Sequence, residues 1–523
     1  MSAVVTEERV EAPPAAVETE ERPRAIAAST LAAVAAVLAW YLIQLATFVG
    51  EAPDLDAMIS LRESLVAHRD GLHGLIADRV GTGVHPPLLD LLSSSAFSLF
   101  GEDPRSQQLI GIALFALLAG AVERLLVPYL PAGQRIAAAF AVVICPSLAI
   151  TLFLVSREAL VLVILAAALA YTLLGPGVKR PVALGLILAL LPLAKETAPV
   201  LVLPFAVYAA LVGGPGKLRR GALVLAPAVA AVIGWRIILA IAGGNSWHTW
   251  IVSKHADDGP YVVALRAIFG LEGSVYWRQN LANGLIVNYL WIPTLLAVVA
   301  IVLAMRKPAA TAIRRAIALL AGLAVIYAWT TLTFPTFTEP RYATPLTLAT
   351  LLIALIGLSL WSARWRPVII GVLIVSFAAG SWSPTDPVSR KFFGTTSVGG
   401  EQIYNTAELQ RGPDRMVINY AILRASHRMN ARLRRIFASG ATLVTGDCNA
   451  MKFGEKLFSV GFQASAFDRG IPGARAGLKC VPVDQLPPGA NNRSDRIALV
   501  RTPEEDAQNQ PPAVTGKAIV VIH

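Results

Sequence analysis

A chain of 523 residues that is 55% hydrophobic and only 15% charged, with a mean hydropathy of +0.59, departs from soluble proteins, whose charged fraction is about 25%. Uncharged stretches long enough to cross about 30 Å of hydrocarbon recur along most of it, which marks a polytopic membrane protein and excludes a secreted enzyme, a nucleic-acid-binding domain and a disordered scaffold. The formal net charge of +11 is therefore read by position, because basic residues flanking spans report topology before partners.

Residues 1–24 form an acidic, Pro- and Ala-containing tail (Glu7, Glu8, Glu11, Glu18, Glu20 and Glu21), which reads as a disordered cytoplasmic tail rather than a cleavable signal. Breaks at charges and at Pro/Gly clusters then predict eleven helices: 25–49, 107–122, 136–155, 159–174, 181–194, 197–212, 221–242, 280–304, 316–331, 342–363 and 367–383. Pro86 to Phe100 is apolar but short, and it contains Asp90 and a serine run. If it lies on the membrane instead of crossing it, the loops 123–135, 175–181, 213–220, 305–315 and 364–366 hold 13 Lys and Arg in 42 residues. The opposite loops then hold 10 in 108, so the positive-inside rule gives eleven spans with the N-terminus inside.

That topology leaves a long first outer loop, 51–106, with one or two interfacial helices, and exports everything after Trp382. The exported part, 384–523, carries 18 Lys and Arg against 12 Asp and Glu and reads as a separate small α/β domain beyond the membrane domain 25–383. Asp414 to Phe437 has an amphipathic pattern, with Ile418, Ile422, Met429, Leu433 and Ile436 on one stripe and Arg424, Arg428, Arg432 and Arg435 on the other. The arginine stripe either attracts anionic glycan or lipid headgroups or is a solvated face. Segments 441–445, 497–500 and 518–522 look like short strands, and Cys448 and Cys480 either pair there or remain free thiols.

Polar residues at the ends of spans are costly in hydrocarbon and persist where they face a partner or a wet cavity. Six places qualify. Asp54 and Asp56 follow the first span, where a carboxylate can accept a hydroxyl proton; solvated loop acids are the alternative. His85-Pro86-Pro87-Leu88 starts the short interfacial segment, with His85 either a phosphate or oxygen ligand or incidental. Ser156-Arg157-Glu158 ends the third span, where Arg157 can also snorkel.

Lys195-Glu196 follows a 14-residue segment, about 21 Å of helix, so it lies below the outer surface, either as a polar site or as a structural pair. Arg236 sits about two-thirds along the seventh span, seeking an anion or the headgroups. Glu339-Pro340-Arg341-Tyr342, followed by Pro345, opens the tenth span, and the planar fork of Arg341 suits phosphate. These residues place a carboxylate cluster and several cations on one face of the bundle, as a site for an anionic lipid headgroup would require. The chain has no Walker motif, dinucleotide fingerprint or Cys/His metal cluster.

The order Pro53-Asp54-Leu55-Asp56, His85-Pro86-Pro87-Leu88, Leu99-Phe100-Gly101, Pro146 with Ser156-Arg157-Glu158, Ala194-Lys195-Glu196, and Arg341-Tyr342 with Pro345 resembles that of GT-C glycosyltransferases. The nearest groups are the protein O-mannosyltransferases and the lipid A aminoarabinose transferases, and the resemblance covers roughly residues 25–365. It implies an enzyme of the bacterial cytoplasmic membrane that passes a sugar from a polyprenyl phosphate to a hydroxyl of a cell-envelope glycolipid, polysaccharide or protein. No cofactor is implied, and no metal is expected. The catalytic base carries over to Asp54, with Asp56 and Glu158 as alternatives, while His85, Arg157, Glu158, Lys195, Glu196, Arg236, Arg341 and Tyr342 are the substrate-binding candidates. A transporter or flippase of lipid-linked glycan, and a GT-C-like scaffold without catalysis, are the competing functions.

Overall fold

The computed structural model describes residues 23–48, 55–82, 85–102, 104–175, 179–212, 216–242, 277–307, 310–333, 340–398 and 401–404, with short pieces at 419–421, 423–424, 442–444, 480–481 and 497–498. Asp54, Glu339, Cys448 and the segment 518–522 lie outside the described residues, as do most of the tail and most of 414–437.

Helix is present in all eleven apolar segments. Six helices are long and apolar enough to cross a membrane: Ala27–Phe48, Arg105–Leu125, Lys217–Ile241, Thr311–Trp329, Arg341–Leu360 and Trp365–Trp382. Ala132–Ile144 and Pro146–Phe153 make a seventh candidate, bent by 69°. The chain is a multi-pass membrane protein. Leu88–Phe100, Pro181–Ala194, Ala198–Val212 and Trp291–Arg306 are apolar but shorter.

In chain order, α1 (Pro23–Phe48) packs antiparallel to α4 (Pro104–Leu125). Between them come α2 (Leu55–Thr82), kinked at Gly71, and α3 (Leu88–Phe100). Next are α5 (Ala132–Ile144), α6 (Pro146–Phe153) and α7 (Arg157–Leu173). The α5–α6 bend falls before Pro146, which lacks the N–H that would continue the helical ladder. Two short helices, α8 (Pro181–Leu188) and α9 (Leu190–Ala194), lead to an extended Lys195, a 3-10 turn at Ala198–Leu201 and α10 (Val202–Val212). The long α11 (Lys217–Ile241) follows.

The segment 280–304, read from sequence as one span, is broken into α12 (Trp277–Leu285) and α13 (Trp291–Arg306) by a turn in which Asn288 and Tyr289 are left-handed (φ 53° and 68°). After α14 (Thr311–Thr333) come a 3-10 turn at Pro340–Ala343, α15 (Thr344–Gly357), α16 (Arg366–Trp382) and α17 (Pro387–Phe393). Helix α15 is buried at every position and α7 at most of its positions, so these two form the middle of the bundle. By contrast Ile233, Ile237 and Ile241 of α11, and Leu295 and Val298 of α13, turn apolar side chains outward, as a lipid-facing surface requires.

Beyond α16, β1 (Thr395–Val398) and β2 (Glu401–Tyr404) pair antiparallel, with Thr395 opposite Tyr404. A second sheet has β3 (Thr442–Val444) in the centre, parallel to both β4 (Cys480–Val481) and β5 (Ile497–Ala498). Strands thus occur within two of the segments expected to form them. The piece of 414–437 that is described does not present a free basic face. Tyr420, Ala421 and Leu423 are buried in the bundle's core, with Tyr420 stacked on Phe48 at 5.6 Å. Arg424, expected on the basic stripe, instead donates to Glu401 at 2.9 Å and to the Trp382 carbonyl.

Candidate active site

The polar residues found at the ends of apolar runs meet at the end of the bundle where α1 finishes and α7 begins. His85-Pro86-Pro87 leads into α3, and both prolines are buried. One turn later α3 delivers Asp90, fully buried, to which Ser64 of α2 donates at 3.4 Å. Val155 joins α6 to α7 with φ 52°, a left-handed conformation that costs a β-branched residue about 1–3 kcal/mol. The chain then enters α7 with Arg157 and Glu158 pointing into the protein.

Arg157 does not snorkel. Its Nη2 lies 2.6 Å from Glu63 Oε2 and 3.4 Å from Asp90 Oδ1. The next residue, Glu158, accepts from Lys195 and lies 4.0 Å from Arg341 Nε. The Lys195 ammonium also sits 4.1 Å above the Tyr342 ring, and the Arg341 guanidinium is 5.1 Å from that ring, so the aromatic face is shared by two cations. Extended backbone at Lys195 (φ −153°, ψ 139°) separates it from Glu196, and the two do not form the local pair considered from sequence. Glu196 instead faces His85, Nδ1 to Oε2 at 3.5 Å, in the more open part of the cluster. Arg236, half-buried on α11, is within electrostatic reach of Glu196.

The structure therefore brings together His85, Arg157, Glu158, Lys195, Glu196, Arg341 and Tyr342, with Arg236 at the margin. Asp56 lies in the first turn of α2, seven residues or about 10 Å of helix before Glu63. Three members were not singled out from sequence as site residues: Glu63, Asp90 and Tyr327. Tyr327, buried on α14, lies near the Thr197 side chain and within electrostatic reach of Glu158 and Glu196. Glu63 gives no signal because α2 has no clean apolar stripe, and Tyr327 sits within an apolar run, where an aromatic residue passes for core.

Four carboxylates (Glu63, Asp90, Glu158, Glu196) thus meet the cationic side chains of Arg157, Lys195, Arg341 and Arg236, with the His85 ring beside Glu196. Buried ions are held only by partners of this kind, since removing one strands the other in low dielectric. Arg157 is enclosed by two acids, whereas the Arg341 side chain is 12% exposed against 6% for Lys195, so Arg341 is the more accessible of the two cations around Tyr342. A planar guanidinium beside an ammonium and an aromatic ring can take a phosphate by bidentate hydrogen bonds. Among the described residues no three His, Cys, Asp or Glu side chains gather as a cation site.

No protein-family model and no curated protein matches the chain. Among solved structures it is similar to the crystal structure of ArnT from Cupriavidus metallidurans bound to undecaprenyl phosphate. The identity is 15% and the TM-score 0.46, over 85% of this chain and 75% of that one.

Proposed function

We propose that the chain is an integral-membrane glycosyltransferase of the GT-C type, moving a sugar from a polyprenyl phosphate to a hydroxyl of a cell-envelope glycolipid, polysaccharide or protein. The observation that carries this is the meeting of His85, Arg157-Glu158, Lys195-Glu196 and Arg341-Tyr342, drawn from four distant parts of the sequence into one cluster that is open at its His85–Glu196 edge. These are the segments on which the sequence resembles that superfamily. In this reading the chain crosses the bacterial cytoplasmic membrane eleven times, and its N-terminus is cytoplasmic. The cluster and the segment 384–523 face outward.

The chemistry follows from the residues. The leaving group is a phosphate that is already charged, so Arg341 and Lys195 stabilise what develops on it as the glycosidic bond breaks. Asp54, or Asp56 in its place, takes the proton of the attacking hydroxyl, and a single displacement inverts the anomeric centre. Because carboxylates and cations balance at rest, phosphate draws Arg341 and Lys195 away from Glu158 as it binds.

The test is transfer of label from a panel of polyprenyl-phosphate sugars to envelope extracts by purified protein, beside Asp54→Asn. Transfer by wild type, lost in Asp54→Asn while donor lipid still binds, supports the assignment. Wild-type turnover in that variant moves the base to Asp56 or Glu158. Donor binding without transfer from any sugar favours a transporter of lipid-linked glycan.

A further inference from the structure

Asp386 follows the last membrane helix, and its carboxylate is fully buried. It caps α17 through the Val388 N–H at 3.0 Å and accepts the Ser389 hydroxyl. It also takes the Tyr289 N–H at 3.0 Å and the Trp291 indole N–H at 3.1 Å. The Asn288 N–H, meanwhile, donates to Ser389 Oγ at 3.1 Å. One carboxylate thus holds both a helix start beyond the membrane and the left-handed pair Asn288–Tyr289 that breaks 280–304 into two helices. Asn tolerates the left-handed region, but Tyr289 does so only at a cost, and its N–H is held by Asp386.

The turn is the end of α12, and α12 is what the Pro340–Ala343 turn rests on. Thr347 Oγ1 donates to the Gly284 carbonyl at 3.1 Å. A Cβ at Gly284 would fall 2.9 Å from a Leu346 methyl and 3.2 Å from the Ala343 Cβ, so any side chain there would crowd this approach. The segment that meets Gly284 is the one that presents Arg341 and Tyr342 to Glu158 and Lys195.

We infer that Asp386 is a positioning residue for Arg341 and Tyr342, acting through the 286–290 turn and α12, so that the region beyond the last span helps set the geometry of the cluster. The structural coupling stands without the transferase assignment; only its consequence for lipid phosphate rests on that function.

Hydrogen–deuterium exchange on the full-length protein reads the coupling without any ligand. In Asp386→Ala, exchange should quicken by about tenfold at 284–290 and equally at 340–347, with α1 and α7 unchanged. Faster exchange at 286–290 alone, with 340–347 as in wild type, overturns the inference. Should Asp386→Ala loosen the whole bundle, Trp291→Phe removes one of the four donors and is expected to show the same paired regions to a smaller degree; its sparing of 340–347 also overturns it.

Affinity for farnesyl phosphate, a short polyprenyl phosphate, supplies a second measure. Asp386→Ala should weaken it about tenfold in wild type and leave it unchanged in an Arg341→Ala background. Equal weakening in both backgrounds places Asp386 outside any action through Arg341. If wild type itself does not bind the lipid, the transferase reading fails while the exchange result still decides the coupling.

Discussion

Two buried ion networks sit at opposite ends of the same bundle, and they are built differently. At the end where α1 starts, Arg135 donates to Glu123 at 2.8 Å, to Ser29 at 3.1 Å and to the Leu130 carbonyl at 3.2 Å. Glu123 also accepts Ser29 and Thr30, at 2.8 and 2.6 Å, so the ion pair is ringed by hydroxyls of α1 and by the Leu130 carbonyl between α4 and α5. Their side chains are 1% and 0% exposed.

At the other end the charges come from helices spread between α2 and α15, the partners are shared, and the His85–Glu196 edge is about a quarter exposed. A closed pair leaves nothing for a ligand and serves assembly. A shared, partly open network can exchange a partner for one, as a binding site must.

The difference can be broken from either side, and the largest effect is expected at the closed end. Arg135→Met strands Glu123 and should cost about 3–5 kcal/mol of stability in thermal melts, most of it recovered in Arg135→Met/Glu123→Met. The amount of transfer per folded molecule should stay as in wild type. At the open end Lys195→Met should lower transfer on the order of a hundredfold. Pairing it with Glu158→Gln should restore melting but not turnover, the outcome that the proposed role of the cation at the substrate requires.

Arg341→Lys keeps the charge and loses the planar fork, so polyprenyl-phosphate affinity in a titration should fall about tenfold, or roughly 1.4 kcal/mol. The smallest effect belongs to an exposed pair outside both networks. Arg69 grips Glu102 at 2.7 and 3.0 Å, and that hydrogen bond holds the Glu102 carboxyl below its ordinary value of 4.5. A depressed carboxylate contributes stability above its unfolded pKa and loses it as pH falls through the folded one. Solvent screening keeps the contribution under about 1 kcal/mol, so Arg69→Ala should lower the melting temperature slightly at pH 7 and not at all in strong acid.

Most of the helical framework was legible because apolar runs of this length leave few alternatives, though 136–155 was read as one unbroken helix despite Pro146 within it, where the structure bends by 69°. The second break, at 286–290, was not, because the carboxylate that accepts its Tyr289 N–H lies 97 residues further on. Among site residues, Arg157, Glu158, Lys195 and Arg341 stood out as charges beside apolar runs. Their partners did not follow from that signal: Arg157 meets Glu63 across 94 positions and Lys195 meets Glu158 across 37, and one sequence read alone does not pair residues at such distances. The same limit misplaced Arg424, whose partners are Trp382 and Glu401 rather than solvent.

The most direct test is the structure of the protein with a polyprenyl phosphate bound, determined by cryo-electron microscopy in a lipid nanodisc. Phosphate density is expected between Arg341 and Lys195, with Lys195 withdrawn from Glu158. A phosphate bound at the Arg135–Glu123 end, or a cluster unchanged at saturating lipid, would contradict the assignment of the open network as the substrate site.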